Sequence, residues 1–131
     1  MGDEAVKRIV TIKIQTALDY WKGVNPNVEL TDERMAHIQE HHPDDYAQCI
    51  DHIESVIEAP DLILEDHKNP MTAMFIRSFE ELGVNVIIKL ALSSNKEDRS
   101  FIVTIHPVGE RSIKKLENKN KVVYKSGSGM V

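Results

Sequence analysis

A chain of 131 residues, 41% apolar and 28% charged, can bury a core without cross-links and reads as one domain over residues 1–131. Its single cysteine, Cys49, excludes an intramolecular disulfide, so a reducing, cytoplasmic setting is expected. No apolar run approaches the roughly 20 residues of a membrane span, the MGDEAVKR start is acidic where a signal peptide is basic, and a net charge of −5 argues against a sequence-indifferent nucleic-acid binder.

That charge is uneven. Arg111, Lys114, Lys115, Lys119, Lys121 and Lys125 face Glu117 alone in the last 21 residues. A polyanion would meet this segment, although a solvated basic tail explains the charge equally well.

In chain order, residues 4–22 fit two templates. Val6, Val10, Ile14, Ala17 and Trp21 fit a helix stripe, while Val10, Ile12 and Ile14 fit a strand. The reading adopted is a short strand followed by a helical turn near Ala17 to Trp21. Gly23 and Asn25-Pro26-Asn27 form a loop, and Val28 to Leu30 a brief extended piece. Thr31 is a good N-cap, with Asp32 and Glu33 suited to the positive end of the helix it opens. That helix, TDERMAHIQEHH, runs to Pro43 with Met35 and Ile38 toward the core. Arg34, His37 and His41, three and four residues apart, share another face.

Asp44 or Asp45 can cap a second helix whose stripe is Tyr46, Cys49, Ile50, Ile53, Val56 and Ile57, ended by Ala59-Pro60. Strands are expected from Leu62 and over Thr72 to Phe79. A short helix is expected over Glu110 to Leu116, then an edge strand at Val122 to Tyr124. Residues 126–131 form a flexible tail.

The stretch from Val84 to Pro107 organises the rest. Val84, Val86, Ile88, Leu90 and Leu92 alternate, as do Phe101, Val103 and Ile105, across the polar run Asn95 to Asp98. A loop of two or four residues gives one register. It pairs Ile88 with Ile105, Leu90 with Val103 and Leu92 with Phe101 on a core face, and Lys89 with Thr104 and Ile87 with His106 on the other. Two helices followed by a run of strands predict an α+β domain, its N-terminal helices packed on one face of a four- to five-stranded antiparallel sheet.

Four stretches carry a family resemblance: the helix LTDERMAHIQEHHP, the helix end and strand EAPDLILED, the lysine of VNVIIKLAL, and the threonine of FIVTIHP followed by a basic helix and Tyr124-Lys125. Over about residues 28–125 their order and spacing resemble the phage-type Barnase–EndoU–colicin–RelE nucleases. The resemblance implies a ribonuclease of a toxin, phage or mobile element, acting on RNA in the cytoplasm, with tRNA suggested by analogy and an immunity or antitoxin protein as partner. It matches His37 and His42 to the family's helix histidines, Arg34 to its preceding arginine, and Lys89 and Thr104 to a polar pair on the sheet. His41 is an extra imidazole, and His106 has no family assignment. The acidic net charge departs from the usual basic pattern.

Metal-free RNA cleavage needs a base for the 2′-hydroxyl, a cation for the phosphorane and an acid for the leaving 5′ oxygen. Histidine suits both proton roles. The expected catalytic set is His37, His42, Lys89 and Thr104, with Arg34, His41, His106, Arg111 and Lys114 binding substrate and no cofactor. The bland alternatives are a solvated strand face for Lys89 and Thr104, a helix stop for His42 and a surface pair for Arg34. A zinc site at His37 and His41, with His42, Asp44 and Asp45 near, lacks the HExxH order and any cysteine in the segment, so no metal is expected. An inactive interaction module on the same fold is the competing class.

Overall fold

Runs of β-branched residues with a period of two build most of this molecule, because such side chains pack well on a pleated surface. The computed structural model describes residues 9–41, 43–44, 49–81, 83–94 and 98–126. Its strands are β1 (Ile9–Lys13), β2 (Asn27–Thr31), β3 (Leu62–Glu65), β4 (Thr72–Phe79), β5 (Val84–Ala91), β6 (Ser100–Val108) and β7 (Lys121–Lys125). They form one sheet in the order β1-β2-β6-β5-β4-β3-β7. The class is α+β, but the sheet has seven strands rather than four or five. Neighbours are antiparallel except β2 and β6, which meet in parallel at Val28–Ser100 and Glu29–Phe101. The short segments expected at Val10 to Ile14, Val28 to Leu30 and Val122 to Tyr124 all form strands and all join this one sheet, β2 finding its partner some 70 residues away.

The helices whose full extent lies among the described residues are α1 (Asp32–His41), α2 (Ile53–Glu58) and α3 (Glu110–Lys119). Thr31 caps α1 as expected, its Oγ1 accepting the Arg34 N–H at 3.1 Å. The expected continuous second helix is broken: Ile50–His52 form a 3-10 turn ahead of α2, and Tyr46 lies outside the described residues. Helix α3 runs past its expected end at Leu116 to Lys119, and the Asn120 that caps it donates its side-chain amide to the Leu116 carbonyl at 2.9 Å. Near Ala17 the chain makes a tight turn, with Ala17 at φ 63° and the Trp21 N–H donating to its carbonyl at 3.2 Å.

Two apolar layers flank the sheet. Ile38 of α1 and Ile53, Val56 and Ile57 of α2 join Phe75, Ile88, Leu90, Ile102 and Ile105 in the larger core. On the other face Ile113 and Leu116 of α3 pack on Leu62, Leu64, Met74, Ile76 and Ile87. The sheet curls, so the loop after β1 reaches strands beyond the centre. Asn25 N–H donates to the Ser93 carbonyl at 2.7 Å, and Tyr20 Oη donates to Glu65 Oε1 at 2.7 Å.

The central hairpin keeps the expected register at Ile87–His106, Ile88–Ile105 and Lys89–Thr104, then shifts. Leu90 pairs with Ile102 rather than with the expected Val103, and Phe101 pairs with Ala91 rather than with the expected Leu92. Val103 is the extra residue of a β-bulge. The bulge lets Ile102 and Ile105, three apart, both face the larger core. It also turns Phe101 out of the core position expected for it, leaving it 44% exposed.

Candidate active site

Helix α1 leaves the end of β2 and lies along β6 where those two strands have parted. The spacing of Arg34, His37 and His41 puts them on one side of α1. Ile38 anchors the helix to the core while His37 and His41 stay exposed. Their rings lie 4.5 Å apart at 55°. Together with Ile38 they face Val103, Thr104 and Ile105 across a cavity of about 220 Å³. One turn earlier, the Arg34 guanidinium carbon sits 5.7 Å from the centre of the Phe101 ring. The Arg34–Phe101 contact thus lies next along α1 and β6 to the cavity that Thr104 and the two imidazoles line.

Lys89 stands opposite Thr104 on β5. It shares the sheet face of Ile87, the α3 side, and is not tucked beneath α1 or α2. Its side chain is 34% exposed, but Nζ turns to Asp66 Oδ2 at 3.4 Å rather than lining the imidazole cavity. Asp66 is a residue the sequence reading missed. It follows β3 in a turn, accepting the Lys68 N–H at 2.9 Å and the Asn69 amide at 3.1 Å. The signal for it was the run Asp66-His67-Lys68-Asn69 ahead of Pro70, since Asp side chains commonly bond backbone two residues on. The same turn is pinned to α3, because His67 N–H donates to Asn120 Oδ1 at 2.9 Å.

Burial alone would push the Asp66 carboxyl up, but hydrogen bonds from Asn69 and Lys68 and the Lys89 ammonium outweigh it and hold the group below the usual carboxylate range. A folded-state pKa below the unfolded one makes a contribution that is complete above the unfolded value and lost as pH falls through the folded one. Wild-type stability should therefore fall more steeply than that of Asp66→Asn below about pH 4, as urea unfolding at a series of pH values would report.

The other expected residues are dispersed. His106 is half-buried, two residues beyond Thr104, its Nδ1 3.0 Å from the Pro107 carbonyl oxygen. Arg111 and Lys114 are exposed on α3 and do not line the imidazole cavity. Lys114 borders a separate cleft with Asp61, Ser78, Glu117 and Lys125. His42 lies outside the described residues, as does Asp45. Among the described residues no three His, Cys, Asp or Glu side chains are grouped to hold a metal ion. Phe101 was also missed as a site residue, and nothing local in the sequence marks the bulge that exposes it.

The family model described as phage-Barnase-EndoU-ColicinE5/D-RelE like nuclease 2, PBECR2, matches residues 9–125. The chain belongs to this family. The match takes in all seven strands, so the β1–β2 hairpin ahead of α1 is part of the PBECR2 domain as well as the stretch from residue 28. No curated protein and no solved structure matches the chain. Membership makes nuclease-type chemistry the frame for this PBECR2 site. No helix among the described residues is long and apolar enough to cross a membrane.

Proposed function

We propose that this PBECR2 domain is a metal-independent endoribonuclease that cleaves RNA by attack of the 2′-hydroxyl on the adjoining phosphate, leaving a 2′,3′-cyclic phosphate. The observation that carries this reading is the convergence of His37, His41 and Thr104 on one cavity, with Lys89 paired to Thr104 from the neighbouring strand. Two imidazoles 4.5 Å apart can serve as base and acid for a single in-line displacement. His41 thus takes the second proton role alongside His37. Thr104 can donate its hydroxyl proton to a non-bridging oxygen, and the Lys89 ammonium can swing from Asp66 to the phosphorane. The family description supports a toxin, phage or mobile-element role, in which an immunity or antitoxin protein is the natural counterpart.

Purified protein incubated with total tRNA and mRNA in EDTA should still cleave, and the 5′ fragments should end in cyclic phosphate. Loss of cleavage on chelation, or equal cleavage of the corresponding DNA, would overturn the mechanism. One observation favours a second reading, an inactive interaction module on this fold: the Lys89 ammonium is held by Asp66. Absence of cleavage of any RNA, with a protein partner bound to the α1–β6 groove, would select it.

A further inference from the structure

Phe101 is an anomaly on a strand that otherwise buries its large apolar side chains. It is 44% exposed, whereas Ile102 and Ile105 are fully or almost fully buried. The bulge at Val103 sets this orientation, so the ring is held out by backbone geometry rather than left loose on a tail. Arg34 reaches the ring from α1, its guanidinium carbon 5.7 Å from the centroid. Among the described residues Arg34 makes no ion pair with a carboxylate, and its cation remains available to a second group. From Phe101 to Thr104 is roughly 10 Å of strand, and from Arg34 to His41 about 10 Å of helix. Along both elements the Arg34–Phe101 contact therefore lies next to the imidazole cavity.

We propose that Phe101 and Arg34 form a stacking shelf for one nucleobase of a single-stranded RNA, next to the phosphate held at His37, His41 and Thr104. The proposal rests on the nuclease reading for its substrate and names the part of that substrate the groove grips. An aromatic face takes any base, because every base has a π-face, and an adjoining arginine plane adds to the stack while reaching the backbone. Only an unpaired nucleotide can offer its face, so the shelf selects single strands, loops and bulges over duplex. It also answers the charge problem. A chain with net charge −5 draws little affinity from counterion release, and stacking supplies affinity without added cations.

The test uses a single-stranded oligoribonucleotide carrying one 2-aminopurine, whose fluorescence falls on stacking. A 2′-deoxy substitution at the adjoining nucleotide prevents cleavage. The 131-residue chain should bind it and quench it. Phe101→Ala should weaken binding about tenfold and abolish the quench, Phe101→Trp should retain both, and the salt slope of binding should not change. Thermal melts of each variant confirm that the fold is intact, as an exposed position predicts. Binding and quench by Phe101→Ala equal to wild type, while natural RNA is still cut, would overturn the shelf and leave the nuclease reading standing. A Phe101-dependent quench without cleavage of natural RNA would uphold the shelf and overturn the nuclease. Neither binding nor cleavage would overturn both.

Discussion

His37→Ala should lower RNA cleavage by about 10²- to 10⁴-fold, the range lost when a positioned proton carrier is removed. The fold should not suffer. His37 is exposed on α1, and the residue that fixes the helix to the core is its neighbour Ile38, 3% exposed. Alanine is also the better helix former, so the thermal midpoint should hold or rise slightly. A cleavage loss with an unchanged midpoint separates chemistry from stability. His41→Ala tests the partner role, since the two rings lie 4.5 Å apart across the same cavity. If they act as base and acid of one step, the double variant should be scarcely slower than the slower single one. Single-turnover rates on one defined RNA, with circular dichroism melts of each variant, make the comparison. Wild-type rates from His37→Ala would remove this residue from the mechanism.

Lys89→Ala should cost about 10²- to 10³-fold in cleavage, the usual loss when one donor to a developing oxyanion is deleted. The structural cost should be small by comparison. Lys89 is 34% exposed on its side chain, and its ammonium supports the buried Asp66 carboxylate less than the hydrogen bonds from Asn69 and Lys68 do. Asp66 would keep its hydrogen bonds from Lys68 and Asn69. Lys89→Ala separates the two readings of the pair, with Asp66→Asn as its control. If Lys89 acts on the phosphate, releasing it from Asp66 should preserve cleavage. If the pair only braces the turn after β3, Lys89→Ala should leave cleavage at wild-type level. Parallel rate and urea-unfolding measurements on both variants decide.

These expectations trace to different depths of the sequence. The pairing of Lys89 with Thr104 was legible because two alternating runs flank one polar turn, and a slip of one residue would have turned the isoleucines to water. The face shared by Arg34, His37 and His41 was legible because helical spacing and the Thr31 cap are local signals. Phe101 and Asp66 were not. Phe101 faces solvent because of a one-residue bulge, which packing demands of Ile102 and Ile105 and no turn residue announces. Asp66 gains its importance only where the turn after β3 passes Lys89 of another strand. Arg111 and Lys114 looked like substrate ligands from their charge, but their helix covers the second apolar layer and leaves them outside the imidazole cavity.

By itself the amino-acid order determined the α+β class, the central hairpin with its polar pair, the capped helix with its imidazoles, and the likeness to the nuclease family that the chain belongs to. Tertiary structure alone decided that the sheet has seven strands and that β2 joins β6 in parallel. It also decided that α1 runs beside the bulged strand with a groove between them. The reason is the range of the forces involved. Periodicity and capping act within a few residues, whereas the groove follows from how apolar faces far apart in the chain were packed against each other.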